Sequence, residues 1–288
     1  MKSDFIGHYL SADGIRLTIC DTSDAALAAE NLHHLPPVSA AILAKTMTGA
    51  ALLAGDFKNH EGISIKWATG SAIGEIHVDA YDGQYVRGYL DFPEAGLGRI
   101  WNTETEGHLV SSDANLFVTR YSLLKLPFTS AVHLHPGDIS ACFTEYLNTS
   151  EQTLSCMKLD LSLDDKGNIS RAGGFLAQLM PAGNCGKFAE LFRDLDAWNA
   201  MAEGEHGMDA LLCKGHFELL AEKPISFCCT CSLDRIRDSL LSLPPSEKEE
   251  LLQDETIETV CHYCGKNIRY LAKFCEIGLK QKGNPIHE

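Results

Sequence analysis

ISIKWATGSAIGEIHVDAYDGQYVRGYL, residues 63–90, contains two runs, 63–69 and 75–80, whose apolar side chains alternate. Ile63, Ile65 and Trp67 share one side of the chain, as do Ile76, Val78 and Ala80, and YVRGYL (85–90) follows the turn pair Asp82-Gly83. A period of two is that of a half-buried strand, so the stretch predicts consecutive antiparallel strands. Upstream, VSAAILAKTMTGAALLA (38–54) is rich in helix formers, with Ser39 near its start and Gly55 just past its end, where a left-handed cap is expected. Downstream, LFVTRYSL (116–123) and AVHLH (131–135) read as strands. In GDISACFTEYLNTSE the period changes: Ile139, Cys142, Phe143, Tyr146 and Leu147 fall on one helical face behind Asp138 as N-cap. Two more strands, 154–163 and 169–180, flank the turn-rich Asp164 to Gly167. Strands and helices segregate instead of alternating, which predicts an α+β core of antiparallel sheets packed with helices over residues 1–180.

Residues 181–225 read as a helical linker, with LFRDLDAWNAMAEG and MDALLCKGHFELLAE broken by Gly204 and Gly207. Leu191, Phe192, Leu195, Trp198 and Met201 lie at helical spacing, and Gly204, Gly207 and Gly215 weaken such helices by about 1 kcal/mol each relative to Ala. The remainder, 226–288, has a different character. Of eleven cysteines in the chain, Cys228, Cys229, Cys231, Cys261 and Cys264 crowd here. No export signal precedes them, and the 38–54 run is interrupted by Lys45 and threonines, so a cytoplasmic protein outside the membrane is expected and the thiols are read as metal or redox chemistry. A net charge of −15 argues against a general nucleic-acid binder.

Structural zinc takes four tetrahedral ligands, often as two close cysteine pairs on separate loops. Cys261-His262-Tyr263-Cys264-Gly265 has the form of a zinc knuckle, with Gly265 free to adopt a conformation that other residues resist. Cys229-Thr230-Cys231 places two side chains on one face of an extended segment. One zinc ion per chain, held by Cys229, Cys231, Cys261 and Cys264, is therefore expected, with Cys228 and His262 outside the site. His133 and His135 alternate on a strand without an accompanying carboxylate pattern, Gly96-Leu97-Gly98 lacks the third glycine of a dinucleotide loop, and no P-loop or nucleophile elbow occurs.

The Cys-x-Cys and Cys-x-x-Cys pairs resemble those of the redox-regulated 33 kDa heat-shock chaperone family, as do ALLAG (51–55), YVRGYLDFP (85–93), SEQT (150–153) and RAGGFLAQLMPAG (171–183). The resemblance implies an α+β core, a helical linker and a zinc-binding redox-switch domain at 226–288. It implies an ATP-independent holdase and no enzyme: inactive when reduced and zinc-bound, activated when disulfides Cys229–Cys231 and Cys261–Cys264 form and zinc leaves. Its partners would be unfolding client proteins, with a homodimer on oxidation also considered. The competing expectation is a purely structural zinc ribbon on an enzyme or assembly factor, with a thiol oxidoreductase further behind.

Overall fold

The apolar run after residue 36 folds as one helix with no face toward water. The computed structural model describes residues 4–96, 101, 106, 114–134, 138–202, 204–247 and 256–271. They fall into two compact units, Met1–Cys228 and Cys229–Glu288. In the first, strands β1 (Phe5–Ser11) and β2 (Ile15–Asp21) lead into helices α1 (Ser23–His33) and α2 (Pro37–Ala54). Then come β3 (Gly62–Ala68), β4 (Glu75–Tyr81), β5 (Tyr85–Leu90), β6 (Asn115–Tyr121), β7 (Phe128–His133) and α3 (Ile139–Thr149). The unit closes with β8 (Ser155–Leu163), β9 (Ile169–Leu179), α4 (Cys185–Phe192), α5 (Met208–Lys214), β10 (Phe217–Pro224) and β11 (Ser226–Phe227). These strands form a five-stranded sheet in the order β10-β1-β2-β9-β8 and a six-stranded sheet in the order β11-β5-β4-β3-β6-β7. The mixed α+β architecture with antiparallel sheets is the one the sequence predicts.

Helix α2 packs against strands of both sheets. By length and hydropathy it would pass for a membrane span, yet 89% of it is buried inside this fold. Burial in protein rather than insufficient length therefore makes it a core helix. Its polar side chains are all met from within: Thr46 and Thr48 donate to the carbonyls of Ile42 and Ala44, each at 2.8 Å, and Ser39 donates to Pro93 O at 2.6 Å. Lys45 Nζ lies 2.7 Å from both carboxylate oxygens of Glu106, which also accepts the Ile139 amide at 2.8 Å.

Several local expectations are revised. Helix α2 starts with Pro37, which needs no amide at that position, so Ser39 lies inside it. Gly55 is right-handed, with φ −55°, and no left-handed cap forms. A Cβ there would come within 2.7 Å of Ile6 Cδ1 and 2.8 Å of His8 Cε1, so the glycine serves close approach. In the 181–225 segment, helix ends at Phe192, where the indole Nε1 of Trp198 donates to Leu191 O at 2.8 Å, and Met201 lies beyond helix. Gly207 and Gly215 cap α5 at its two ends. FELLAEKP (217–224) is strand β10 and not helix, because the open edge of β1 offers it a backbone ladder from Phe5↔Pro224 to Ser11↔Phe217. Its side chains are mostly exposed on both faces, so a helix would have gained no apolar seat. His135, Leu97 and Gly98 lie outside the described residues.

Helices α4 and α5 lie on the five-stranded sheet. Phe188, Leu191, Phe192, Trp198 and Leu211 form a second core with Ile15, Leu17, Ile19, Phe175 and Ala177, separate from the core around α2. At the end of the unit, β11 pairs in parallel with β5, and Cys228 is fixed by its amide to Val86 O (3.1 Å) and by Tyr81 Oη donating to its carbonyl (2.9 Å).

The Lys45–Glu106 pair is enclosed by apolar side chains, so removing one partner strands a buried charge. Lys45→Met is expected to lower unfolding free energy by about 3–5 kcal/mol, measured by urea denaturation, while Lys66→Met on the surface changes it by less than about 1 kcal/mol.

Candidate metal centre

The second unit is built on the hairpin of β12 (Thr256–Val260) and β13 (Asn267–Leu271), paired from Thr256↔Leu271 to Val260↔Asn267. The tight turn between the strands is the Cys261–Cys264 knuckle. Cys261 N donates to Lys266 O at 3.0 Å, and the amides of Cys264 and Gly265 return to Cys261 O at 3.3 and 2.8 Å. Gly265 has φ +62° with open space where a Cβ would stand, so backbone conformation alone accounts for the glycine expected there. The other pair, Cys229 and Cys231, lies on an irregular stretch that ends where Ser232 caps helix α6 (Leu233–Ser242) by accepting the Arg235 amide at 3.2 Å. Arg235 also donates to Thr230 Oγ1, between the two cysteines.

These two turns bring four sulfurs together. The Sγ atoms of Cys229, Cys231, Cys261 and Cys264 all lie within 4.8 Å of one another. Cys229 Sγ is 3.7 Å from Cys261 Sγ, and Cys231 Sγ is 3.3 Å from Cys264 Sγ. Four Zn–S bonds of about 2.3 Å, directed to the corners of a tetrahedron, would hold sulfurs about 3.8 Å apart. The donor set therefore fits a metal ion of this size and softness. Its electrostatics agree: burial, then the neighbouring thiols, push the Cys231 thiol well above its ordinary range, and burial also raises Cys264. Thiolates crowded this closely oppose one another's ionisation, and a bound cation supplies the missing countercharge.

The remaining cysteines do not join this group. Cys228 and the exposed His262 lie outside it. Cys20, Cys142 and Cys156 are buried, and burial pushes Cys142 and Cys156 up to about 12, which keeps them as unreactive thiols. Cys185 and Cys213 are exposed and scattered, and Cys275 lies outside the described residues. His133 Nδ1 faces Asn115 Oδ1 at 3.4 Å on β7, with no metal-ligating partner among the described residues. Sequence reasoning found the sulfurs and missed the sheet face beneath α4 and α5, since β2 and β9 show no clean alternation.

Comparison with known proteins places these features in a family. The family model described as "Hsp33 protein" matches residues 4–271. A 33 kDa chaperonin of Desulforamulus reducens is 30% identical over 96% of this chain and 98% of its own, and one of a Geobacillus species is 28% identical over 93% and 94%. The crystal structure of the 33 kDa chaperonin of Thermotoga maritima superposes with a TM-score of 0.81 at 22% identity, covering 98% of this chain and 99% of that one. With a family match running from the first described strand to the last, through both cysteine pairs, this chain belongs to the Hsp33 family of chaperones.

Proposed function

We propose that the protein is a redox-regulated, ATP-independent holdase, silent while its four cysteines hold zinc and active once they are oxidised. The convergence of Cys229, Cys231, Cys261 and Cys264 within 4.8 Å carries this reading. Zinc in such a set keeps the sulfurs as thiolates at neutral pH, the form that oxidants attack. Cys229 with Cys231 and Cys261 with Cys264 are the pairs nearest in sequence among the four, and each pair of thiolates loses two electrons to form one disulfide. For each disulfide, one hydrogen peroxide takes up those two electrons and two protons from solvent and becomes two waters. Two such steps consume all four donor thiolates and end the site's hold on the metal. A ring closed across the single residue Thr230 is strained and easily reduced, which suits reversal.

The energetic consequence follows from the size of the second unit. Among its described residues, Ile257 and Ile268 are the buried apolar side chains, worth about 1.5–3 kcal/mol each. Metal binding to four thiolates contributes about 10–16 kcal/mol, so its loss removes most of what holds this unit folded. Helices α4 and α5 are short, at eight and seven residues, and depend on tertiary packing. We infer that they are the linker released after oxidation. Their departure would uncover Ile15, Leu17, Ile19 and Phe175, a surface suited to unfolding clients, together with the helices' own apolar faces. We infer further that the protein acts in the cytoplasm on unfolding client proteins, without nucleic acid or membrane, and forms a homodimer on oxidation.

Three outcomes are expected. Reduced protein holds about one zinc per chain by elemental analysis, and Cys→Ser at any of the four positions weakens retention against a chelator; full retention in any variant removes that residue from the site. Light scattering of an aggregating client falls when peroxide-treated protein is added and is unchanged by reduced protein, with peptide mapping placing the bridges at Cys229–Cys231 and Cys261–Cys264. No protection in either state would favour a purely structural zinc ribbon on an enzyme or assembly factor, protection by the reduced form would overturn the oxidative switch, and bridges mainly to Cys228 would overturn the pairing. Amide exchange across 185–214 is expected to be slow in reduced protein and to accelerate at least tenfold after oxidation, on the order of 1.4 kcal/mol of lost protection; equal protection in both states would show that α4 and α5 are not the switch.

A further inference from the structure

A second group of metal-ligating side chains lies in the first unit, at the end of β4 and just past β5. Glu75, His77 and Asp91 bring one nitrogen and two carboxylate oxygens within 4.8 Å of one another. Glu75 and His77 are two residues apart on β4 and therefore share a face, and the Asp91 amide donates to Glu75 O at 3.0 Å, continuing the ladder that pairs His77 with Tyr89.

The spacing within this group is too long for hydrogen bonds and suited to an ion. His77 Nε2 is 3.5 Å from Glu75 Oε2 and 3.5 Å from Asp91 Oδ1. A direct N–H···O bond to either would be about 2.7–3.2 Å, and one nitrogen has one proton for two acceptors. Ligands about 2.1 Å from a tetrahedral centre stand about 3.4 Å apart. Both carboxylates and the imidazole ring also have partners outside the gap. Lys66 Nζ holds Glu75 Oε1 at 2.8 Å, the Glu75 amide holds Asp91 Oδ2 at 3.1 Å, and the His77 ring stacks on Tyr89 at 4.7 Å with an interplanar angle of 12°. Outer partners that orient each ligand and leave one atom facing inward are the second-shell arrangement of a metal site. Both carboxylates are partly open to water, which leaves room for a further ligand.

We propose that Glu75, His77 and Asp91 form a second metal site, for a divalent first-row transition ion such as Zn²⁺, with its remaining position open to water. The imidazole nitrogen selects such ions over Mg²⁺ and Ca²⁺. This site owes nothing to the cysteine cluster, and neither depends on the other being filled.

The test uses full-length reduced protein already carrying one equivalent of Zn²⁺, titrated with Zn²⁺ by calorimetry and separately with Co²⁺ by absorption. A second equivalent is expected to bind, with cobalt bands of a nitrogen and oxygen ligand set and no sulfur charge-transfer band. Binding should weaken by about tenfold or more in His77→Gln and Asp91→Asn and be unchanged in a Cys185→Ser, Cys213→Ser double variant. Zn²⁺ should raise the melting midpoint of the wild-type protein and not of His77→Gln, whose circular dichroism verifies its fold. Absence of a second equivalent, sulfur bands in the cobalt spectrum, or undiminished uptake in both site variants would overturn the proposal.

Discussion

Helix α2 has to be covered on every side, and the first unit is arranged around that need. A helix buried all round cannot be served by one sheet, whose flat face covers only a stripe of it. Two sheets, with α1 and α3 at the remaining sides, enclose it. The one charge this helix carries inward, Lys45, is then admissible only with a carboxylate beside it, and Glu106 is supplied from a distant part of the chain. The buried pair ties the helix to the segment ahead of α3, whose first amide Glu106 also accepts.

The second unit meets the same thermodynamic demand by other means. Among its described residues Ile257 and Ile268 are the buried apolar side chains, and four sulfurs within 4.8 Å of one another form its other close group, able to hold a stabilising metal ion. The contrast between the two units is thus chemical as well as structural: apolar side chains fill the first, and a cysteine group able to hold a metal ion is gathered in the second.

How much could be read from the sequence depended on how many faces of each element meet solvent. Strands β3, β4 and β5 have one buried and one more open face, so their sequence alternates and their limits were predicted within a residue or so. Strands β1, β2 and β9 are covered on both sides, by α2 and by α4 and α5, and their burial runs through consecutive residues, as at Ile6, Gly7 and His8. No period of two survives there, and the first two strands escaped sequence reasoning altogether. Helix α1 gave little sign of its start, because its cap is remote: Asp4 accepts the amides of Asp24 and Ala25 at 2.8 Å, while Thr22 at the N-cap makes no such bond. The cysteine group was legible because ligand spacing is a local property of the chain. Glu75, His77 and Asp91 were not, since the strand pairing that brings Asp91 beside Glu75 must be known first.

The ladder between β1 and β10 joins residues 5–11 to residues 217–224. During synthesis β1 leaves the ribosome well ahead of β10, and one of its edges stays open until more than two hundred further residues have been made. The six-stranded sheet can assemble most of its strands well before that, since β3 to β7 are complete by His133. An unpaired edge beside apolar neighbours is the kind of surface that draws nascent chains into aggregates. A protein built to shield such surfaces on others therefore passes, at each birth, through an interval in which it carries one of its own.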